Sequence, residues 1–211
     1  MRQLVIDTAT EALSVALFTD GKLIGFHHEI AGRGHAEKLI PIIASLPEGG
    51  RAEEIIVDRG PGSFTGVRVG LAAARALGYA WDAPVKGYAS LSLIAAMAHE
   101  REGTGEILTI AITGGHGELF WQSFDTATLA PQGEIISTPI TELAQTLDTP
   151  IVYGTGAQAL VETRGFGEAI SIHPDARAFP KLAATMIEAD ALPLYGRGAD
   201  AVPLAERGGK S

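Results

Sequence analysis

The sequence predicts an α/β fold made of two similar halves, each running strand, strand, strand, helix, strand, helix, strand, helix. Three observations carry this expectation: a strand-rich opening with a hairpin signal, short β-type runs alternating with helical stripes after it, and the return of the same order in the second half. The 211 residues allow two small bodies with their own cores, and 46% hydrophobic against 19% charged residues describes a packed chain rather than a disordered one.

Leu4 to Thr8 reads as a buried strand and Leu13 to Thr19 alternates apolar with polar positions. Asp20-Gly21 marks a tight hairpin before Leu23 to Glu29. Leu39, Ile42, Ile43 and Leu46 recur at helical spacing, and Pro41 inside that stripe predicts a helix that starts near Lys38 or bends at the proline. A short strand follows at Glu54 to Asp58, then the run Gly60-Pro61-Gly62-Ser63-Phe64-Thr65-Gly66 and a helix from about Thr65 to Trp81. Pro84 and Gly87 bracket another strand, and Ser90 to His99 reads as a helix with Ser90 as its N-cap.

In the second half, strands are expected at Ile107 to Thr113, Glu118 to Asp125 and Glu134 to Ser137, with a helix at Thr141 to Leu147. Then come a strand at Ile151 to Tyr153, a helix at Ala157 to Thr163, a strand at Ala169 to Ile172 and a helix at Phe179 to Ala189. Two such halves facing each other make the architecture of the actin-like ATPase folds. The expected division is 1–102 and 103–211, joined at Glu100 to Gly105, with Leu192 to Ser211 as a C-terminal arm over the surface.

Charge and composition exclude several function classes. The formal charge is -9, with 25 acidic against 16 basic residues, whereas phosphate contacts need Lys and Arg, so the chain by itself is a poor nucleic-acid binder. Cysteine is absent, which removes disulfides, thiolate catalysis and cysteine-held zinc. The apolar run at the N-terminus is too short for a signal peptide and no stretch has the length of a membrane span, so the expectation is a cytoplasmic protein without membrane contact.

The glycine-rich run at Gly60 to Gly66 is the most distinctive stretch. Glycines there let backbone amides gather round an anion at a helix N-terminus, which makes Gly62, Ser63 and Thr65 candidate anion or nucleotide ligands together with Asp7, Thr8 and Thr10 at the tip after the first strand. The favoured alternative is a tight turn with Ser63 or Thr65 capping the helix, and Asp7 bonded to its own turn. Neither a P-loop nor a hydrolase elbow is present: Val67 and Arg68 follow Gly66, and Pro61 and Thr65 stand where the elbow has glycine. The second-half counterpart, Thr113-Gly114-Gly115-His116-Gly117, supplies no carboxylate for Mg²⁺. None of the six histidines pairs with another at i+3 or i+4, and His27 and His28 point to opposite faces of a strand, so no metal site is expected. His35 reads as a capping or surface residue. Gly66, Gly70, Ala74 and Gly78 form a narrow row along one helix that either packs within its own domain or admits a partner helix, with the Leu39 to Leu46 helix as first neighbour.

Leu4-Val5-Ile6-Asp7-Thr8-Ala9-Thr10-Glu11 and the run Arg59 to Gly70 together resemble the TsaB family, with support from His35-Ala36-Glu37-Lys38-Leu39-Ile40-Pro41 and a weaker echo in Tyr153-Gly154-Thr155-Gly156-Ala157. The resemblance is strong over about the first 95 residues and loose beyond. It implies an actin-like, glycoprotease-like fold and a non-catalytic subunit supporting TsaD, which transfers a threonylcarbamoyl group to tRNA adenosine beside the anticodon. It further implies pairing with TsaD, or with a second copy of the chain when alone, through the first two helices, here Leu39, Ile42, Ile43, Gly66, Gly70, Ala74 and Gly78. Recruitment of the ATPase TsaE to that pair is also implied, with tRNA bound only through the complex. No intrinsic cofactor is expected, ATP or ADP belonging to the complex. Ser90 and Ile94 stand where the related catalytic subunit has a His-x-x-x-His metal motif. Two departures are Thr113-Gly114-Gly115 in place of Asp-Ala-Arg, and Gly196 in place of leucine in the tail. The competing readings are an autonomous actin-like kinase of a small molecule and, further off, a metallopeptidase.

Overall fold

The structure, a computed structural model, describes residues 1–102 and 107–196. Two five-stranded mixed sheets organise it. In the first, β1 (Arg2–Asp7), β2 (Ala12–Thr19) and β3 (Lys22–Ile30) form an antiparallel meander, and β4 (Glu54–Asp58) and β5 (Val85–Tyr88) add in parallel on the other side of β1, giving the order β3-β2-β1-β4-β5. The second sheet contains β6 (Ile107–Thr113), β7 (Glu118–Asp125), β8 (Pro131–Pro139), β9 (Ile151–Tyr153) and β10 (Glu168–Ile170), in the order β10-β9-β6-β7-β8. Substituting each second-half strand for its counterpart returns the first order, so the halves share one topology. This duplicated arrangement is the actin-like fold.

Local chemistry explains most boundaries. Asp20 and Gly21 both have positive φ, 49° and 74°, which closes the two-residue β2–β3 turn in the hand that strand twist requires. Helix α1 (His35–Ser45) begins three residues before Lys38 and runs through Pro41. The proline is exposed, so the helical bond it cannot make is lost on the solvent side, where water replaces it. Helix α2 (Phe64–Trp81) starts at Ser63, whose hydroxyl accepts from the Gly66 N–H, and α3 (Ser90–Glu102) follows β5. In the second half α4 (Ile140–Thr146) and α5 (Ala157–Arg164) are shorter.

One expected element is absent. Phe179 to Ala189 does not form an α-helix; 3₁₀ turns at Ala176–Lys181 and Ala184–Met186 stand there instead. Pro180 removes a donor in the middle of the segment, and the backbone between the turns is extended. The segment forms a strap that leaves the second sheet and crosses to the first. Ala176, Ala178, Phe179 and Leu182 share a core with Val5, Phe18, Ile56 and Tyr88 of the first sheet and Leu93 of α3. Farther along, Glu188 bridges to Gly87, the Leu194 N–H donates to the Arg59 carbonyl, and Arg75 donates to the Ala191 carbonyl at 2.8 Å. The second half bounded at 103–211 is therefore not a self-contained body, because its C-terminal strap completes the core of the first. The expected join at Glu100 to Gly105 lies largely outside the described residues, as does the arm after Gly196.

The first sheet carries two cores. On its outer face Leu4, Ile6, Ile55 and Val57 meet α1 and α2 through Leu39, Ile43, Val67, Leu71 and Ala74. Its inner face meets α3 and the strap. No helix among the described residues is long and apolar enough to cross a membrane.

Candidate functional site

The parallel strands β1, β4 and β5 end together, and their registers place Asp7, Asp58 and Tyr88 in one row. Ile6 pairs with Val57, so Asp7 and Asp58 come next, and Asp58 pairs with Tyr88. By the alternation of a strand these residues share the inner face with Val5 and Ile56. The carboxyl ends of parallel strands are where open α/β sheets bind ligands. Here the row is sealed: Asp7, Asp58, Tyr88 and Ser90 are all 0% exposed.

Each member of the row has partners. Tyr88 donates its hydroxyl to Asp7 at 2.8 Å. The Gly60 N–H donates to Asp58 Oδ1 at 2.7 Å, and Ser90 Oγ lies 2.8 and 2.7 Å from the two Asp58 carboxyl oxygens. Ser90 is therefore not an N-cap: its hydroxyl turns away from the helix backbone to the carboxyl and to the Pro61 carbonyl, 2.8 Å away. Burial pushes the Asp7 carboxyl up to about 6, against the opposing effect of bonds from Tyr88, Asp58 and the Ala9 amide. Burial and the neighbouring Asp7 charge push Asp58 well above the ordinary carboxylate range, and burial does the same to the Tyr88 phenol.

The glycine-rich run packs against the tip of β1. A Cβ at Gly62 would strike the Ala9 carbonyl oxygen, and one at Gly66 the Thr8 carbonyl oxygen. The Ser63 N–H donates to the Ala9 carbonyl at 2.7 Å, and the Thr8 hydroxyl donates to the Gly66 carbonyl at 2.8 Å. Close approach of loop to strand thus accounts for Gly62 and Gly66, and the six candidate anion ligands do not converge. Asp7 and Thr8 are enclosed. Only Thr10, Ser63 and Thr65 reach an open pocket of about 450 Å³, bounded also by Arg33, His35 and Val69, between the β1–β2 tip, the start of α1 and the start of α2. His35 is neither a cap nor a surface residue; it is buried, with its ring Nε2 3.2 Å from the Ala12 carbonyl oxygen.

The row Gly66, Gly70, Ala74 and Gly78 faces inward, which corrects its reading as a surface for a partner helix. A Cβ at Gly70 would meet Thr8 Oγ1 at 2.5 Å and Val57 Cγ2 at 3.4 Å, and one at Gly78 would meet Val85 Cγ2 at 2.5 Å. The small residues let α2 lie close on β1, β4 and β5 of its own sheet. Leu39 and Ile43 are likewise buried in that core, and Ile42 is half-buried at its edge. The opposite side of these two helices is open: Tyr79 is 93% exposed, flanked on α2 by exposed Arg68, Ala72, Ala76 and Ala80, with Ile40 and Ala44 exposed on α1. Sequence periodicity had identified the helices and selected their inner face. Tyr79, a large aromatic directly after Gly78 and so off the row of small residues, was the available signal for the outer one.

The family model described as TsaD, tRNA N6-adenosine threonylcarbamoyltransferase, matches residues 15–175. The chain belongs to this family of actin-like α/β proteins. Within it, the similarities lie with TsaB: the tRNA threonylcarbamoyladenosine biosynthesis protein TsaB of Escherichia coli is 37% identical over 129 residues, covering 59% of this chain and 55% of that one. Its Haemophilus influenzae namesake is 39% identical over 102 residues, covering 46% and 43%. The chain thus spans about half the length of the curated relatives it matches. The structure of YeaZ from Pseudomonas aeruginosa superposes with a TM-score of 0.75 at 28% identity, over 92% of this chain and 99% of that one. The chain is a member of the TsaB family.

Proposed function

We propose that this chain is a non-catalytic partner subunit in the biosynthesis of threonylcarbamoyladenosine on tRNA, acting by supporting TsaD. The observation that carries the non-catalytic part is the sealed acid row. A transferase must bring substrate to its carboxylates, and here Asp7 and Asp58 have no exposed surface. The similarity to named TsaB proteins supplies the pathway. The acidic balance of the chain fits a subunit that meets tRNA only through the complex.

Pairing runs through the outer face of α1 and α2, around Tyr79, Ala72, Ala76 and Ile40, with TsaD as the cognate partner and a second copy of the chain as partner when alone. An exposed aromatic among small side chains suits helix-on-helix docking, because the small residues admit close approach and the ring supplies an anchor. TsaE joins once the pair has formed, and ATP or ADP enters with the complex, in the cytoplasm.

Size-exclusion chromatography with light scattering on the chain alone and mixed with cognate TsaD, followed by a tRNA modification assay of each sample, tests this reading. A one-to-one complex that modifies tRNA only when both chains and the remaining pathway components are present is expected. Absence of a complex, with modification independent of this chain, would overturn it; ATP-dependent phosphorylation of a small molecule by the chain alone would put the kinase reading in its place.

A further inference from the structure

We infer that Arg68 and Arg75, set in place by the C-terminal strap, make the outer face of α2 a receptor for carboxylates on a partner's helical surface. The inference rests on the pairing role given above to that face and adds what the face selects.

Helix α2 has no acidic side chain along its 18 residues, and Arg68 and Arg75 are its two charges, both exposed. The chain as a whole has a formal charge of -9, so this positive strip runs against the general balance. Seven residues separate the arginines, which puts them on one side of the helix about 10 Å apart. Tyr79 follows Arg75 by about one turn. On α1 the exposed charges are Glu37 and Lys38, and Lys38 is taken up by Glu29 of β3 at 2.9 Å.

The strap holds both guanidinium groups without neutralising them. Arg75 Nη2 donates to the Ala191 carbonyl at 2.8 Å. Arg68 donates from Nε and Nη2 to the Tyr195 hydroxyl at 3.4 and 3.3 Å, and its guanidinium carbon lies 3.5 Å from the centre of the Phe64 ring. Carbonyl, phenol and ring carry no charge, and neither arginine has a carboxylate partner among the described residues. Arginine has five N–H donors, so most of each fork stays open. Fixing a long side chain before docking removes part of the ordering cost, and the planar fork can take a carboxylate through two bonds.

Charge decides between the occupants. A second copy of the chain brings the same α2, arginine strip against arginine strip about a two-fold axis, with Glu37 as the exposed acid on its two helices. RNA would bring phosphates, but a chain this acidic lacks the wider basic footprint that phosphate binding requires. A folded protein with carboxylates two helical turns apart, set among small apolar side chains, meets both arginines and leaves room for Tyr79. TsaD, as the cognate partner, is expected to present such a surface.

Titration calorimetry of the chain with TsaD tests this. At low salt, Arg68→Met/Arg75→Met should bind ~10-fold more weakly than wild type, and Arg68→Glu/Arg75→Glu ~100-fold. Raising salt from about 50 to about 500 mM should weaken the wild type and leave the methionine variant nearly unmoved. The wild-type salt dependence needs no substitution, so it stands if a variant fails to fold. Tyr195→Phe keeps the charges but frees Arg68, and should cost ~3-fold in affinity; no change there would overturn the strap's part. A TsaD complex with full affinity in both double variants, or a wild-type affinity indifferent to salt, would overturn the inference and spare the pairing reading, whereas no complex from the wild type would overturn both. Binding of tRNA by the chain alone that is lost in the methionine variant, with TsaD affinity unchanged, would make the strip a phosphate contact instead.

Discussion

Each half closes the loop after its second parallel strand with a glycine and a backbone bond to the segment of its first strand, beyond the end of β1 in one half and within β6 in the other, and the halves differ in what is attached to that joint. In the first, the Ser63 N–H donates to the Ala9 carbonyl and Gly62 has no room for a side chain beside it. In the second, the Gly156 N–H donates to the Ala111 carbonyl at 3.0 Å, and Gly154, at φ 111°, would strike that same oxygen with a Cβ. Beyond the junction, the first half carries an 18-residue helix and a row of buried carboxyls, whereas the second carries an 8-residue helix and, at the end of β6, Thr113 bonded to Thr155. The repeated part is the backbone joint that orders the strands. The variable part is what each half presents to other molecules.

If the joint is one device used twice, Gly62→Ala and Gly154→Ala should be similarly damaging, each costing about 3 kcal/mol or more through forced displacement of the facing backbone carbonyl. Urea unfolding of the two variants checks this, and a mild effect in either half would break the equivalence. Phe179→Ala, a change in second-half sequence, should cost about 3 kcal/mol and should lower the protection of amides in β1 and β4 from hydrogen exchange along with those of the second sheet. Protection lost from the second sheet alone would separate the halves after all.

The next effect is confined to the first half. Asp7 titrates at about 6 when folded, against an ordinary value near 4 when unfolded. Between those values the unfolded chain has lost a proton that the folded chain keeps, so stability falls as pH rises through that window, by at most about 1.4 kcal/mol per pH unit for this group. Asp7→Asn should remove that share of the slope, measured by denaturation at about pH 4.5 and about pH 6.5. An unchanged slope would assign the titration elsewhere. Smallest in stability is Tyr79→Arg, within about 0.5 kcal/mol of wild type, yet it should abolish co-elution with TsaD, while Gln158→Arg on α5 leaves it intact. Co-elution of both variants would remove the asymmetry between the two helices.

The order of elements was legible because most segments obey one rule each. Strands β4, β6, β7 and β9 begin and end where alternation and turn residues predict, and α2 starts within one residue of its expected position. The strap escaped because Phe179, Leu182 and Ile187 are apolar for a reason that periodicity cannot express: they fill a sheet face from the other half of the chain. The inward turn of Gly66, Gly70, Ala74 and Gly78 was equally hidden. A row of small residues says that something approaches closely, and here the visitor is the sheet's own carbonyls and side chains. The acid row needed the register between β1, β4 and β5, which joins residues 51 and 81 positions apart from Asp7 and leaves no mark on any one of the three segments.

The strap also sets a timetable. A ribosome delivers β1 to β5 and α3 well before Phe179 and Leu182, so during synthesis the part of the inner face around Val5, Phe18 and Ile56 that α3 does not cover waits open until the strap arrives. The N-terminal half cannot finish as an independent unit and then await its neighbour, as domains commonly do. Its final stabilisation waits until the strap has been made, and a nascent chain stalled before residue 176 would display a sticky sheet of the kind that chaperones hold.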